Sequence, residues 1–249
     1  MTKKPKVLFF DIETGGVGGL RADLGYVICF GYKFLGDKKA TCLRISDFGG
    51  KGWPNNCQDD TELLKAANKV MQEADLLVAH FGEFFDRPFL ESRLLHAGLE
   101  PLPPLRLADT CLIARKKLKL SSNRLDNLAK FLKCKTRKMQ KGDGWPKWWF
   151  GAMRGDKKSI SDMAKYCIVD VECLEEIFLK MRHLIPGKYL LNMAIGQERN
   201  VCVACGSDVQ YRGSYYSEKK EFRRFACKNQ KCRRWDHDTR AIASAPKKQ

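Results

Sequence analysis

The sequence predicts an α/β fold, a mixed five-stranded sheet flanked by helices, followed by a small cysteine-bearing module. Two observations lead to this prediction. Over roughly the first two thirds of the chain, short apolar runs typical of strands alternate with segments of helical periodicity. Two cysteine pairs then follow in a stretch too short to form a large core of its own. A chain of 249 residues has room for one medium domain and such an annex.

Three predicted strands open the chain as an antiparallel meander. The first contains the apolar run Val7-Leu8-Phe9-Phe10, which is typical of a buried strand. Residues 26–35 and 40–46 are apolar or β-branched, and the Gly-Asp-Lys-Lys sequence between them indicates a hairpin. Short apolar runs at 76–79 and 105–108 predict two further strands, the first of them buried and parallel.

Helices are predicted between and after the later strands. Asp59 and Glu62 have the spacing of a capping box and open a helix with an apolar stripe. A second helix is predicted at about 88–97, with proline in its first turn and glycine just after its end. A long helix is predicted from 159 to about 182, because its apolar residues recur at steps of three and four.

Four acidic side chains lie where these elements favour a metal. Asp11 and Glu13 alternate with Ile12 at the end of the first strand, so both face one side, about 6.5–7 Å apart. A divalent metal would relieve their repulsion. Asp86 follows a predicted parallel strand, at the sheet edge where open α/β proteins bind ligands. Asp170 lies at the border of an apolar stripe, where an acid is costly unless it is paired or metal-bound.

Each of these acids also has a purely structural interpretation. Asp11 and Glu13 would then form a polar strand end that faces water. Asp86 would cap the helix that follows it. Asp170 would form a hydrogen-bonded pair with Tyr166, which precedes it by one helical turn.

The order of three short motifs resembles that of a known family. Phe-Asp-Ile-Glu-Thr (10–14), Phe-Asp-x-Pro-Phe-Leu (85–90) and Tyr-Cys-x-x-Asp (166–170) resemble the motifs of the DEDD 3′–5′ exonucleases, which have a ribonuclease-H-like fold. The tyrosine in the third motif is similar to that of the DEDDy subgroup, which includes the exonuclease domains of family B DNA polymerases. Asp109-Thr110 and the following Leu-x-x-Leu-Ala also resemble the family's middle region. The similarity covers roughly residues 6–185. One departure is Phe81, which replaces an asparagine that helps hold the terminal nucleotide in the family.

The resemblance implies a metal-dependent 3′–5′ exonuclease that hydrolyses single-stranded or frayed 3′ ends, with DNA favoured, to nucleoside 5′-monophosphates. Tyr166 would orient the attacking water, and the apolar side chains Ile12 and Phe85, with the backbone around Thr14, would seat the terminal nucleotide. Two alternatives stay open: a structure-specific or endonucleolytic enzyme on the same fold, and a nucleic-acid-binding protein with a vestigial nuclease domain. The resemblance assigns two Mg²⁺ or Mn²⁺ ions, in a two-metal-ion mechanism, to Asp11, Glu13, Asp86 and Asp170.

The net charge of +17 is unevenly distributed. Residues 114–158 contain fifteen basic and three acidic side chains, and residues 186–249 contain fourteen and six. Two such basic blocks indicate a polyanionic partner, although they also favour solubility. In the predicted loop 135–158, Trp145 and Trp148 are candidates for stacking on unpaired bases. Packing on the following helix is the alternative.

The C-terminal cysteines predict a structural zinc site in a zinc ribbon. Cys-x-x-Cys-Gly and a later Cys-x4-Cys suit tetrahedral Zn²⁺, and a hairpin over 210–216 and 221–226 would lie between the pairs. Unrelated free thiols, or His237 as a ligand, are the alternatives. The ribbon's surface would bind nucleic acid or, alternatively, a replication or repair protein. The predicted ligands are Cys202, Cys205, Cys227 and Cys232, and the surface residues are Tyr211, Arg212, Tyr215, Tyr216, Arg223, Arg224 and Trp235.

These assignments predict an exonuclease domain over residues 1–185, a linker over 186–200 and a zinc-ribbon domain with a basic tail over 201–249. No stretch approaches the about 20 apolar residues of a membrane span, and the first residues lack the apolar core of a signal peptide. The odd number of cysteines, 11, favours reduced thiols. We therefore expect a cytoplasmic protein without a membrane partner.

Overall fold

The computed structural model describes most of the chain as two compact units that divide between Leu179 and Lys180. The predicted linker, residues 186–200, lies outside the described residues except for 186 and 189. For residues 145–146 and 243–244 the main chain alone is described. The described residues are 5–17, 20–136, 145–186, 189, 201–217, 220–237 and 243–244.

The predicted five-stranded mixed sheet is confirmed in the first unit. The order of its strands is β3-β2-β1-β4-β5. The three N-terminal strands pair antiparallel, and β4 runs parallel to both β1 and β5. The strands are β1 (Val7–Gly16), β2 (Gly25–Phe34), β3 (Thr41–Arg44), β4 (Leu76–Ala79) and β5 (Leu107–Asp109).

Helices flank this sheet, as predicted. Short 3₁₀ turns at Ile45–Asp47, Gly50–Gly52 and Arg182–Leu184 supplement them. The helices of the described residues are α1 (Thr61–Gln72), α2 (Asp86–His96), α3 (Thr110–Lys117), α4 (Leu125–Phe131), α5 (Trp145–Met153) and α6 (Lys157–Met181).

α5 lies in a segment that the sequence analysis treated as a loop. Its second residue is Pro146, which a helix tolerates in the first turn because no amide there needs an intrahelical partner. The half-buried rings of Trp148 and Trp149 pack against the main hydrophobic core. The packing of the tryptophans therefore stabilises a helix where the basic composition favoured a loop.

The central strand β1 is buried on both faces and extends beyond its parallel neighbour. On one face the Phe9 ring lies 5.4 Å from the ring of Phe178 on α6. Because side chains alternate along a strand, Asp11 and Glu13 project towards that same face. β4 pairs only with Val7–Phe9 of β1. From Phe10 onwards, the edge of β1 on the side of β4 is therefore not paired with β4, and we call it the open edge of β1.

The second unit contains a smaller antiparallel sheet. The predicted hairpin is present as β6 (Val209–Ser217) and β7 (Lys220–Cys227). β8 (Trp235–His237) and β9 (Ala243–Ser244) both pair with β7. Among all the residues described, no helix combines the length and the apolar character required to cross a membrane.

Candidate active site and metal centre

Two acidic side chains in the middle of β1 lie beside α6. Ligand atoms of Asp11, Glu13 and Cys167 lie within 4.8 Å of one another. The Cys167 thiol of α6 is 3.7 Å from the Asp11 carboxylate and 3.5 Å from the Asp11 main-chain oxygen. Glu13 is buried. Two carboxylates held this close repel each other, and a bound cation would offset that repulsion.

Cys167 is a thiol next to the two carboxylates. A hydrogen bond to Cys42, followed by burial and the charges of Asp11 and Glu13, raises the pKa of the Cys167 thiol well above its ordinary value. Without a bound cation, Cys167 is therefore a neutral thiol. The carboxylate oxygens suit a hard cation such as Mg²⁺ or Mn²⁺.

Gly31 allows α6 to approach the sheet at this point. Gly31 on β2 is paired with Asp11 across the sheet. A Cβ at position 31 would lie 2.5 Å from the sulfur of Cys167, closer than such atoms approach in proteins. The absence of a side chain at Gly31 thus brings Cys167 into contact with Asp11.

Asp86 enters the site from the open edge of β1. As the first residue of α2, it accepts a hydrogen bond of 3.2 Å at Oδ1 from the amide of Ile12. Burial raises the pKa of the Asp86 carboxyl to about 7, and the negative charge of Asp109 acts in the same direction. The hydrogen bond from Ile12 opposes this shift in part.

Asp109 holds the loop of residues 81–85, which directly precedes Asp86. One carboxylate oxygen of Asp109 accepts from the amide of Phe81 at 3.0 Å, and the other accepts from the amide of Glu83 at 3.1 Å. The first oxygen also caps α3 through the amides of Cys111 and Leu112. Sequence reasoning noted Asp109 only through a resemblance. Asp109 directly follows the predicted strand 105–108, but both its capping of α3 and its contacts with the earlier loop require the fold.

An exposed aromatic pair lies on the same loop. Phe81 has a φ angle of 71°, in the left-handed region that bulky residues rarely adopt. Its ring centroid is 5.4 Å from that of Phe84, and the two residues are 41% and 65% exposed. Half-buried Phe85 packs against Phe89 and the core, and its contact with substrate stays a prediction.

The third predicted motif lies on α6. Tyr166 and Asp170 are both buried, on either side of Cys167 in the chain. The Tyr166 ring is 6.0 Å from the ring of half-buried Trp148. The turn that holds Cys167 against Asp11 therefore also carries the predicted tyrosine, and Asp170 follows on the next turn.

The other predicted substrate contacts differ in accessibility. Ile12 and Thr14 are buried as whole residues, so each offers little surface to a ligand. Trp148 contacts Trp149 and Tyr166, which is the packing that the sequence analysis considered as the alternative. The Trp145 side chain lies outside the described residues.

Four cysteines form a separate cluster in the second unit. The sulfurs of Cys202 and Cys232 are 3.8 Å apart, and those of Cys205 and Cys227 are 3.5 Å apart. All four lie within 4.8 Å of one another. Tetrahedral Zn²⁺ with Zn–S bonds of about 2.3 Å places its sulfurs about 3.8 Å apart, so the cluster is compatible with zinc. Gly206, at φ 72°, donates from its amide to the Cys202 carbonyl and closes the first knuckle.

Comparisons with known proteins agree with this architecture. The computed fold is similar to that of a family B DNA polymerase from the hyperthermophilic archaeon Pyrobaculum calidifontis, with a TM-score of 0.56 and 16% sequence identity. The alignment covers 88% of this chain and 32% of the polymerase chain, so this chain spans about a third of that protein. At this identity the likeness concerns the fold alone. None of the curated proteins compared with the chain matches it significantly.

A family model described as the RNase H superfamily matches residues 8–182. This range covers well over half of the chain and includes the whole carboxylate site. The protein belongs to the RNase H superfamily.

Proposed function

We propose that this protein is a metal-dependent 3′–5′ exonuclease that releases nucleoside 5′-monophosphates from single-stranded nucleic acid, with DNA favoured. Membership of the RNase H superfamily supports a nuclease. The observation that carries the finer proposal is the carboxylate site in the middle of β1. There Asp11 and Glu13 lie beside α6, and Asp86 is hydrogen-bonded to the strand between them.

The donor atoms of this site fit divalent cations. Asp11 and Glu13 have ligand atoms within 4.8 Å of each other, and Glu13, Asp86 and Asp170 are buried. A cation would replace the proton that burial favours on Asp86. When bound, two such ions supply activation of water and stabilisation of charge on the phosphate and the leaving oxygen. The residues that would hold Mg²⁺ or Mn²⁺ are Asp11, Glu13, Asp86 and Asp170.

The protein's own groups would position the reactants. The Ile12 amide holds one oxygen of Asp86 in place, and Asp109 holds the preceding loop. Tyr166, next to the residue that contacts Asp11, would orient the attacking water through its hydroxyl. The apolar side chains of Ile12 and Phe85, with the backbone around Thr14, would seat the terminal nucleotide.

We propose in addition that the four cysteines of the second unit hold one structural Zn²⁺. Their sulfur separations support this assignment. Four protein ligands leave no open coordination position, so the ion would stabilise the ribbon rather than act on substrate. Because the ribbon has few buried apolar side chains, removal of the metal should unfold it.

Linear and circular substrates test the proposed activity. We expect 5′-labelled single strands to shorten progressively from the 3′ end with Mg²⁺ or Mn²⁺, to release nucleoside 5′-monophosphates, and to stay intact with Ca²⁺. A circular single strand of the same sequence should also stay intact. DNA and RNA versions would determine the preferred sugar.

Two other outcomes correspond to other functions. Linearisation of the circle would indicate an endonuclease on the same fold. Binding without hydrolysis of either substrate would indicate a nucleic-acid-binding protein with a vestigial nuclease domain. Either outcome would overturn the proposal of an exonuclease.

A further inference from the structure

One face of the ribbon sheet carries a continuous cluster of aromatic and cationic side chains. On β7, Phe222 and Arg224 are two residues apart and therefore point to the same face. The cross-strand partner of Phe222 is Tyr215, and that of Arg224 is His237. Trp235 is paired with Ala226, the next residue of β7 on this face, and extends the row.

These side chains contact one another along the row. The Tyr215 and His237 rings are stacked, with centroids 4.6 Å apart and an interplanar angle of 7°. Phe222 lies 6.0 Å from Tyr215 and 5.6 Å from His237. At the other end, the Arg224 guanidinium lies 5.3 Å from the centre of the Trp235 ring. The rings are therefore held in place before any ligand binds, which lowers the entropic cost of binding.

The face is exposed although it is rich in aromatic side chains. Tyr215 is 43% exposed and Trp235 is 55% exposed. Residues 201–237 also contain nine lysine and arginine residues but four acidic ones. An exposed aromatic surface in a basic environment has the chemistry that binds a polyanion with accessible planar groups.

We propose that this face, formed by Tyr215, Phe222, Arg224, Trp235 and His237, binds single-stranded nucleic acid. Unpaired bases stack on the Tyr215 and Trp235 rings, and the neighbouring basic side chains contact the phosphates. A duplex keeps its bases stacked inside the helix, so it would offer this face its backbone alone. The binding is therefore selective for single strands and tolerant of sequence.

The opposite face of the same sheet supplies matched controls. The sequence groups Tyr211 and Tyr216 with the binding surface, but in the sheet Tyr211 is opposite Phe225 and Tyr216 is opposite Glu221. Both therefore point away from the aromatic face, and we do not assign them to it. They are 56% and 57% exposed, similar to Trp235. Replacing them removes the same kind of exposed ring from the same small unit without changing the aromatic face.

The test measures binding by the full chain carrying Asp11→Ala, so that it does not depend on hydrolysis. Fluorescence anisotropy with labelled 20-nucleotide DNA and RNA single strands should give a Kd about 5- to 100-fold higher for Tyr215→Ala and Trp235→Ala. Trp235→Phe, which keeps a ring, should recover most of the affinity, and Tyr211→Ala and Tyr216→Ala should leave it unchanged. Bound metal and circular dichroism are measured for every variant to verify folding.

Photocross-linking locates the contact directly. A single strand containing 5-bromouracil should cross-link to peptides that contain Tyr215 or Trp235. The proposal is overturned if both alanine variants of the face bind like the parent, if the control variants weaken binding equally, or if a duplex binds as tightly as a single strand. Because anisotropy and cross-linking report binding and not hydrolysis, failure of the exonuclease assignment would leave these results interpretable.

Discussion

The amide of Ile12 donates a hydrogen bond of 3.2 Å to the carboxylate of Asp86, 74 residues further along the chain. This contact joins the start of α2 to the open edge of β1, between Asp11 and Glu13. It exists because β4 ends its pairing at Phe9 and leaves the later amides of β1 open on that side. The first two acidic motifs are thus joined through the backbone, and the predictions below depend on this arrangement.

Asp86→Asn should change the pH dependence of stability in protein without added Mg²⁺ or Mn²⁺. The pKa of the Asp86 carboxyl is about 7 in the folded protein, and its ordinary value is 3.8. Between pH 3.8 and pH 7, the folded state therefore retains a proton on Asp86 that the unfolded chain loses. The parent therefore loses stability as pH rises through this window, and Asp86→Asn does not. We expect Asp86→Asn to raise the Tm relative to the parent by several degrees more at pH 8 than at pH 5.

Thermal unfolding followed by circular dichroism measures this difference. Glu62→Gln, a change at an exposed carboxylate of α1, should give the same small effect at both pH values. An Asp86→Asn effect that is equal at pH 5 and pH 8 would contradict the assigned protonation.

Asp109→Ala should lower kcat about 10- to 100-fold. The amides of Phe81 and Glu83 lose the carboxylate that accepts their hydrogen bonds, so the loop before Asp86 can shift. Small displacements of catalytic groups reduce rates by such factors. Buried amides left without acceptors should also reduce the free energy of unfolding by at least about 2 kcal/mol. Asp109→Asn keeps one acceptor oxygen and should lie between the parent and Asp109→Ala. Steady-state kinetics at a temperature where all variants stay folded would separate the two effects, and an unchanged kcat would rule out a positioning role.

The ion pair of Asp60 and Arg93 should contribute strongly to stability. Asp60 is buried, and its oxygens accept from the Arg93 guanidinium at 2.8 and 3.0 Å and from the amide of Val27 at 2.8 Å. Asp60→Ala leaves a charge without its partner and should cost about 3–5 kcal/mol. Asp60 directly precedes α1, and Glu62 forms an exposed ion pair with Lys65 in the first turns of that helix. Glu62→Ala should cost less than about 1 kcal/mol. Chemical denaturation provides both values, and equal values would contradict this account.

The exposed pair of Phe81 and Phe84 should contribute to substrate binding. Both rings lie on the loop that ends at Asp86, where a base near the 3′ end could stack on them. Phe81→Ala and Phe84→Ala should raise KM for single strands about fivefold or more and leave kcat within a factor of two or three. Leu95→Ala, at an exposed apolar residue about 13 Å along α2 from Asp86, should change neither parameter. A lower kcat with unchanged KM would contradict a role in binding.

Much of the fold could be predicted because local patterns and global structure agree. The apolar run before Asp11 produced a buried central strand, and the alternation of side chains placed Asp11 and Glu13 on one face. The apolar stripe of α6 covers that face. These features depend on periodicity, which is visible in a sequence.

The features that were missed depend on contacts between distant segments. The role of Asp109 depends on the amides of Phe81 and Glu83, nearly thirty residues earlier. The close approach of Cys167 to Asp11 depends on Gly31 in a neighbouring strand. Strand register, which sorts the ribbon's aromatic residues onto two faces, is likewise set by pairing rather than by local composition.

The central claim is that the carboxylate site in the middle of β1 supports hydrolysis of nucleic acid from its 3′ end. A time course on a 5′-labelled single strand with Mg²⁺ or Mn²⁺, comparing the parent with Asp11→Ala, tests it most directly. The account predicts a ladder shortening from the 3′ end for the parent, and for Asp11→Ala a loss of hydrolysis with binding retained. Hydrolysis by Asp11→Ala at the rate of the parent would contradict it.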